Sequence, residues 1–451
     1  MPYTVPTASV ATWPSTLPRE ELQDRLDALA RRHRVPGAQL ALDTGTEVLA
    51  LHTGIADAAA GVSLTADTAV PLGSLTKPYT AALVTLLADD GDLDLDEPVA
   101  EHLPEMSGMP QVTVRHLLSH TGGLPTGPDS DTASATRGAR YLASVCTAHD
   151  ALFPPGADFS YSNAGYVAAG RLVEAITGMP WHEAVRVLIL EPLGTVAAFI
   201  GDTTVNRPLA SGHAVNTATG QIRTARQNLA PLEAPAGALL AGAADLCAFG
   251  NALIGRSSVL PPAVSKEMRR GVSAARPGVL ADGWGLGLAL YRQDDRLWCG
   301  HDGNAQGTSC YLRAEPESGV VVAFTGNASG ATALWRDLAD ELARIADVRA
   351  PVGVAPARDR GRPVALPEGL GAYRNGGASY RVEPAADGSS ALSIDGDLSL
   401  PLVCYADLSF DLVDPATGRR EPGGRFHRDP VTGAVDRVQV SGRTARRTDD
   451  G

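Results

Sequence analysis

Segments with strand-like and helical periodicity alternate along the first 346 residues in an order that favours one architecture. Strand-like runs rich in β-branched residues lie at 37–54 and again at 296–327, and helical stretches occupy the chain between them. Apolar residues three and four positions apart predict one helix before the first strands, at 16–34, and another after the last strands, ending near Ile345. We therefore predict an α/β (α+β) layered domain: an antiparallel sheet flanked by terminal helices, with a helical subdomain inserted.

A second, smaller domain is expected near the C-terminus. Residues 351–365 are rich in Pro, Gly and Arg, which is typical of a linker. From 366 to 451 short alternating runs are separated by turn signals such as Asp387-Gly388, and no helical period appears. We predict a large domain over 1–350, a linker over 351–365 and an all-β barrel or sandwich over 366–451.

Composition limits the function classes. A net charge of −13 repels phosphate backbones, so we expect no nucleic-acid partner. No stretch approaches the ~20 apolar residues of a membrane helix, and the N-terminus lacks the pattern of a secretory signal. The five cysteines are scattered, which indicates reduced, buried thiols and no metal site. We expect a cytoplasmic protein with no membrane partner.

Lysine is rare in this chain, and one of its lysines stands near a serine. Lys77 and Lys266 are the only two lysines among 38 basic residues. Ser74-Leu75-Thr76-Lys77 lies at the predicted start of an apolar helix over 75–89, and a spacing of three places Ser74 and Lys77 on one helical face. A lysine whose pKa is lowered by burial can accept the serine proton. The ordinary alternative is a capping serine with an exposed lysine.

Two further groups of residues carry chemistry of the same kind. In Phe159-Ser160-Tyr161-Ser162-Asn163, Tyr161 near a cation can act as a phenolate base and Asn163 can orient an acyl amide, although Asn163 can equally be a helix N-cap. In Gly300-His301-Asp302-Gly303-Asn304, at a predicted strand end, small residues admit a substrate backbone and the Asn304 N–H can stabilise an oxyanion. An ordinary strand exit is the alternative.

In this order and separation, the three groups resemble the Ser-x-x-Lys, Tyr-x-Asn and Lys-Thr-Gly motifs of the penicillin-binding-protein and β-lactamase superfamily, over roughly residues 18–346. The supporting stretches TVRHLLSHTGGLP, PAGALLAGAADLCAFG and ADGWGLGL resemble its class C β-lactamase, D,D-carboxypeptidase and esterase branch. The resemblance implies acyl-enzyme chemistry in a cleft beside the sheet, without metal or cofactor. His301 and Asp302 replace the family's Lys and Thr, which removes a cation that would hold a β-lactam carboxylate.

A narrower resemblance is to the penicillin-binding-protein-type thioesterases, carried by ALFPPGADFSYSNAGY, ADGWGLGL and GHDGNAQGTSCYLR together with a small β domain. These are stand-alone non-ribosomal peptide cyclases with a lipocalin-like C-terminal domain. The resemblance implies that the substrate is a peptide on a carrier-protein phosphopantetheine thioester, with a D-residue at its acyl end; a small-molecule peptide thioester is the alternative. It implies Ser74 as nucleophile, Lys77 and Tyr161 as proton-transfer groups, and an oxyanion hole from the Ser74 and Asn304 amides. Asn163, His301, Asp302 and Gly303 would line the substrate cleft. The β domain would wall the cleft or receive the carrier protein.

Two alternatives stay open at this point. The first is a hydrolase on the same scaffold: an esterase, a D,D-carboxypeptidase or a D-aminopeptidase. The second is a binding or sensor protein that is acylated once and not released. Other classes are disfavoured, because the chain has no Gly-x-Ser-x-Gly elbow or Walker loop, and His116-Leu-Leu-Ser-His120 lacks the zincin glutamate.

Overall fold

The structure, a computed structural model, describes residues 17–127, 137–202, 205–216, 218–354, 360–385, 389–415 and 417–448. The helices in these ranges are α1 (Arg19–Arg32), α2 (Thr76–Asp89), α3 (Val114–Leu118), α4 (Gly138–Val145), α5 (Asn163–Thr177), α6 (Trp181–Val185), α7 (Ala234–Gly237), α8 (Ala243–Leu253), α9 (Pro262–Met268) and α10 (Ala331–Ala346). None of the described helices is long and apolar enough to cross a bilayer.

The strands fall into a large sheet, two small ribbons and a barrel. Those that precede the linker are β1 (Gly37–Asp43), β2 (Val48–Asp57), β3 (Val62–Ser63), β4 (Val70–Pro71), β5 (Gly212–Val215), β6 (Ile222–Ala225), β7 (Leu240–Ala241), β8 (Gly283–Trp284), β9 (Ala289–Gln293), β10 (Arg296–Ala305), β11 (Thr308–Glu315) and β12 (Val320–Gly326). The barrel strands are β13 (Gly371–Asn375), β14 (Ala378–Pro384), β15 (Ser390–Ile394), β16 (Leu398–Cys404), β17 (Ser409–Val413), β18 (Arg420–Arg428), β19 (Val435–Val440) and β20 (Arg443–Arg447).

The large sheet joins both ends of the first domain, which confirms the predicted antiparallel arrangement. Its order is β3-β2-β1-β12-β11-β10-β9-β8, and Leu40 of β1 lies opposite Phe324 of β12. Strands β1, β11 and β12 are buried along their whole length because helices cover both faces. Leu40 and Phe324 pack with α1 and α10 in one core, whereas Ala41 and Ala323 pack with α2 and α8 in the other.

Helix α2 runs through the middle of the helical side and is buried around most of its circumference. It is preceded by a 3-10 turn, Gly73–Leu75, so the α-helix begins at Thr76, one residue later than the sequence predicts. Helix α5 begins at Asn163, and its N-cap is Ser162, whose Oγ accepts from the Gly165 N–H. The expectation that Asn163 is the cap was therefore wrong by one residue.

Strand β10 and the turn before α2 approach each other at backbone distance. A Cβ on Gly303 of β10 would lie 2.0 Å from the Leu72 carbonyl oxygen and 2.9 Å from the Leu75 nitrogen. Gly73 has a φ of +54°, and a Cβ there would lie 2.1 Å from the Asn304 carbonyl oxygen. Glycine on both segments thus allows Ser74 to sit directly beside the sheet.

The C-terminal strands β13 to β20 form a closed eight-stranded antiparallel barrel, as the alternating pattern predicts. Its core contains Tyr373, Val382, Phe410 and Phe426. The described residues of the segment 351–365 contain no helix or strand. The barrel packs against the first domain beside Ser160 and Tyr161: the Thr444 N–H donates to the Ser160 Oγ, and the Gly442 carbonyl accepts from the Tyr161 N–H.

We predict that Gly303→Ala loses about 1–3 kcal/mol of unfolding free energy and most of the activity, because the added methyl overlaps the backbone at Leu72. Thermal or denaturant unfolding measures the first effect. Gly377→Ala is the control, because its Cβ meets nothing within 4 Å. Equal unfolding curves for the Gly303 and Gly377 variants would contradict the close approach.

Candidate active site

Ser74 and Lys77 meet at the start of α2. The Lys77 Nζ lies 3.1 Å from the Ser74 Oγ, so the spacing of three does bring the two side chains together. Lys77 is fully buried, whereas Ser74 keeps partial exposure to solvent. Lys77 also donates to the Ala236 carbonyl at 2.9 Å, which fixes the amine beside the serine. The pair thus offers an accessible hydroxyl next to a desolvated amine.

Burial lowers the pKa of the Lys77 amine into the neutral range. The pKa of Lys77 falls to about 7, chiefly because the side chain is desolvated and secondarily because the Arg443 guanidinium is near; the Glu233 carboxylate acts in the opposite direction. A substantial fraction of Lys77 is therefore an uncharged amine near pH 7. Such an amine can take the proton of Ser74 when the oxygen attacks a carbonyl.

Tyr161 contacts both Ser74 and Lys77. Its hydroxyl hydrogen-bonds with Ser74, and its ring centroid lies 5.0 Å from the Lys77 Nζ. Burial raises the pKa of Tyr161, and the hydrogen bond from Ser74 and the charge of Arg443 only partly offset this effect. Tyr161 is therefore a neutral phenol at neutral pH, which differs from the phenolate considered from the sequence. A phenol in this position can relay protons between Ser74 and a leaving or attacking group.

His301 lies next to Tyr161 and carries no charge. Burial lowers the pKa of His301 to about 3, and the nearby Lys77 charge lowers it as well. Its Nδ1 lies 2.5 Å from the Asp302 carbonyl oxygen, which only accepts, so the proton sits on Nδ1. Its Nε2 is then an acceptor for the Tyr161 hydroxyl at 3.4 Å. His301 therefore orients the phenol.

The neighbours of His301 on β10 have different surroundings. Asp302 forms a 2.6 Å ion pair with Arg313, a fully buried guanidinium whose Nε also donates to the Pro351 carbonyl at the start of the linker. The Asn304 side chain accepts from Ser309 at 2.8 Å, while its backbone lies against the turn before Ser74. The roles of the Ser74 and Asn304 amides in an oxyanion hole remain a prediction.

Asn163 faces a buried acid that the sequence analysis did not single out. Its Nδ2 donates to the Glu233 Oε1 at 3.3 Å, and Glu233 is also buried. The Asn163 Oδ1 is buried with no hydrogen-bond partner among the described residues. Since Glu233 fixes which amide atom faces it, the oxygen of Asn163 is left to accept from a substrate N–H.

A second residue that the sequence analysis missed comes from the barrel. The Arg443 guanidinium lies 5.2 Å from the centroid of the Tyr161 ring, and its Nε donates to the Thr126 Oγ1 at 2.9 Å. Nothing in Ser441-Gly442-Arg443-Thr444 marks it, because its proximity depends on how two distant domains pack. Glu233 carried a weak signal, since it lies just before the PAGALLAGAADLCAFG stretch.

Comparison with known proteins identifies the family of this chain. Residues 22–347 match the family model described as Beta-lactamase. The chain belongs to the β-lactamase family. It is 34% identical over 373 residues to penicillin-binding protein 4 of Amycolatopsis lactamdurans, covering 79% of this chain and 98% of that protein. The crystal structure of SurE superposes with a TM-score of 0.85 and 34% identity over 95% of this chain and 99% of SurE; SurE with D-Leu gives 0.83.

A D-amino acid amidase from Ochrobactrum anthropi is more distant, with a TM-score of 0.61 and 27% identity over 72% of this chain and 96% of that chain. Members of the β-lactamase and penicillin-binding-protein superfamily are serine hydrolases, and this chain is one of them. The structure places Ser74, Lys77, Tyr161 and His301 in one group, with Asn163 beside it.

The positive charge near Tyr161 does not come from the third motif, where the family has a lysine; it comes from a different part of the chain. His301 stands where the family has lysine and is neutral, so β10 supplies no charge to the cleft. Arg443 of β20 places a guanidinium against Tyr161 instead. The site therefore keeps a positive charge, but the barrel supplies it.

We predict that Arg443→Gln moves the rising limb of the pH–rate profile for acylation of Ser74 to higher pH. Loss of a like charge raises the pKa of Lys77, so more alkaline pH is needed to obtain the neutral amine. The rate of p-nitrophenolate release from an activated ester, measured over a range of pH, gives this pH–rate profile. Arg447→Gln is the control, because Arg447 stacks on Tyr373 instead. Superimposable profiles for wild type and Arg443→Gln would refute the electrostatic link.

Proposed function

We propose that this serine hydrolase homologue is a stand-alone peptide cyclase, which releases a non-ribosomal peptide from a carrier-protein thioester by head-to-tail macrolactamisation. The observation that carries the proposal is the barrel's participation in the site: Arg443 lies against Tyr161 while His301 is neutral. The likeness to SurE supports it, since it extends over 95% of this chain and so beyond the family-model match that ends at 347. SurE has been crystallised with D-Leu, and we propose a D-residue at the acyl end here.

In the first step, the Ser74 Oγ attacks the thioester carbonyl as Lys77 takes the serine proton. The C–S bond breaks, and the departing thiolate receives a proton through the Tyr161 phenol. The Ser74 and Asn304 amides would stabilise the oxyanion, and loss of one such donor typically costs about a hundredfold to a thousandfold in rate. Asn163 would hold the acyl chain through its free amide oxygen.

In the second step, the peptide's own N-terminal amine attacks the Ser74 ester. The amine proton passes to Lys77, directly or through the Tyr161 phenol, the C–O bond to Ser74 breaks, and the serine oxygen is reprotonated. The amine competes with water at about 55 M, but a well-placed intramolecular nucleophile reaches an effective molarity of about 10⁵ M or more. Positioning therefore decides between cyclisation and hydrolysis.

The proposed partner is a carrier protein, and we propose that its phosphopantetheine arm lies in a cavity whose lining includes Asp302 but neither Ser74 nor Lys77. The cavity has a volume of about 1040 Å³ and runs from Asp302 on β10 to the barrel. Arg336 of α10 and Arg419, just before β18 of the barrel, each lie 3.5 Å from one carboxylate, that of Glu421. Two guanidiniums on one acid leave positive charge for a phosphate.

A hydrolase acting on D-amino acid derivatives is the second candidate, of the esterase, D,D-carboxypeptidase or D-aminopeptidase type. The likeness to the D-amino acid amidase favours it. The same acyl-enzyme would form, and water would replace the peptide amine in the second step. Product mass separates the two functions, because a macrolactam is one water lighter than the linear acid.

We predict that a linear peptidyl N-acetylcysteamine thioester ending in a D-residue gives a macrolactam in a Ser74-dependent reaction, read by mass spectrometry. Ser74→Ala should lose at least about 10³-fold in rate, because no acyl-enzyme can form. A Ser74-dependent linear acid as the sole product, over a panel of peptides, favours the hydrolase. No Ser74-dependent product from any thioester refutes the cyclase.

The partner is tested by comparing peptidyl phosphopantetheine with peptidyl N-acetylcysteamine. We expect the phosphate to lower KM about tenfold through charged contacts, and the Arg336→Gln/Arg419→Gln double variant to remove that advantage. Arg381→Gln is the control, because Arg381 pairs with Glu383 on the barrel and does not line the cavity. Equal KM values for both thioesters with wild type would contradict this assignment without affecting the cyclase itself.

A further inference from the structure

The segment that carries Tyr161 is held from two sides: His120 accepts from the Ser160 and Ser162 N–H groups, and the barrel supplies the other bonds. The Tyr161 N–H donates to the Gly442 carbonyl at 2.9 Å. The Phe159 carbonyl accepts from the Thr444 Oγ1 at 2.8 Å and from the Gln439 Nε2 at 3.1 Å. Strands β19 and β20 thus bind the backbone before Ser160, and the turn between them binds the amide of Tyr161 after it.

One buried side chain joins this segment to the opposite loop. Asn375, at the end of β13, is fully buried. Its Oδ1 accepts from the Thr126 N–H at 2.7 Å, and its Nδ2 donates to the Thr444 carbonyl at 2.8 Å and to the Ser160 Oγ at 3.4 Å. The Ser160 Oγ also accepts from the Thr444 N–H at 3.1 Å. A single amide therefore spans β20, the residue before Tyr161 and the loop at Thr126.

That loop contacts the other groups that face the cleft. The Thr126 carbonyl accepts from the Asn163 N–H at 2.5 Å, and its Oγ1 accepts from Arg443. Removing the amide of Asn375 would leave the Thr126 N–H without its acceptor and would take one of two hydrogen bonds from the Ser160 Oγ. Because buried polar groups left without partners cost free energy, the segments would shift to find new partners.

We propose that Asn375, a residue of the barrel, is a positioning residue for Tyr161: through Ser160 it fixes the distance between the phenol and Ser74. Asn375 does not touch the reacting atoms and acts through the tyrosine. In this proposal the barrel helps to hold the proton-relay group Tyr161 in place. The inference concerns Ser74 acylation and holds whether the final acceptor is an amine or water.

The test measures the rate at which a small alkyl fluorophosphonate labels Ser74 covalently. Intact-mass spectrometry of the full chain detects the label. The Ser74 Oγ bonds to phosphorus, the P–F bond breaks, fluoride leaves and the serine proton passes to Lys77. We expect Asn375→Ala to slow labelling about tenfold to a hundredfold, because a displacement of Tyr161 by about 1 Å would have an effect of this size. Ser160→Ala, a smaller change on the same path, should act in the same direction and covers the case in which Asn375→Ala does not fold.

The decisive measurement repeats both substitutions in a Tyr161→Phe background. If Asn375 and Ser160 act through the phenol, neither should slow labelling by more than about twofold once the hydroxyl is absent. Val382→Ala, a buried barrel residue outside this network, is the stability control and should lower the melting temperature with little effect on labelling in either background. Equal slowing by Asn375→Ala with and without the Tyr161 hydroxyl, or a wild-type rate for folded Asn375→Ala, overturns the proposal.

Discussion

Backbone contact between β10 and the turn before α2 is the constraint on which the arrangement of the site depends. A side chain at Gly303 would overlap the Leu72 carbonyl, and one at Gly73 would overlap the Asn304 carbonyl. The two glycines let a strand of the sheet and the start of a central helix approach without intervening side chains. Ser74 consequently lies at the boundary between sheet and helical subdomain, where a substrate can reach it from the cleft.

Desolvation of the Lys77 amine allows it to act as a base toward Ser74 near neutral pH. Lys77 is buried in α2, and its pKa of about 7 comes mainly from that burial. The same environment keeps Tyr161 protonated and His301 uncharged, so of these three groups only Lys77 changes its charge near neutral pH. Arg443 supplies the positive charge that β10 lacks, and because it belongs to the barrel, the electrostatics of the site depend on contact between domains.

Two buried polar side chains, Arg313 and Asn375, also connect the active-site segments to the linker and the barrel. Arg313 links Asp302, next to His301, to the Pro351 carbonyl where the linker begins. Asn375 links the barrel to the segments that carry Tyr161 and Asn163. Both residues satisfy backbone groups at a junction that would otherwise bury them unpaired, which explains why polar side chains occupy fully buried positions.

The sequence by itself determined the antiparallel sheet with its terminal helices, the closed all-β character of the C-terminal region and the meeting of Ser74 with Lys77. These follow from local periodicity and from a spacing of three across the 3-10 turn that leads into α2, which short-range geometry dictates. Tertiary structure alone decided that Ser162 caps α5, that Tyr161 stays protonated, and that Arg443, Glu233 and Asn375 lie at the site. Those outcomes depend on burial and on contacts between residues up to hundreds of positions apart, and neither leaves a periodic signal in the chain.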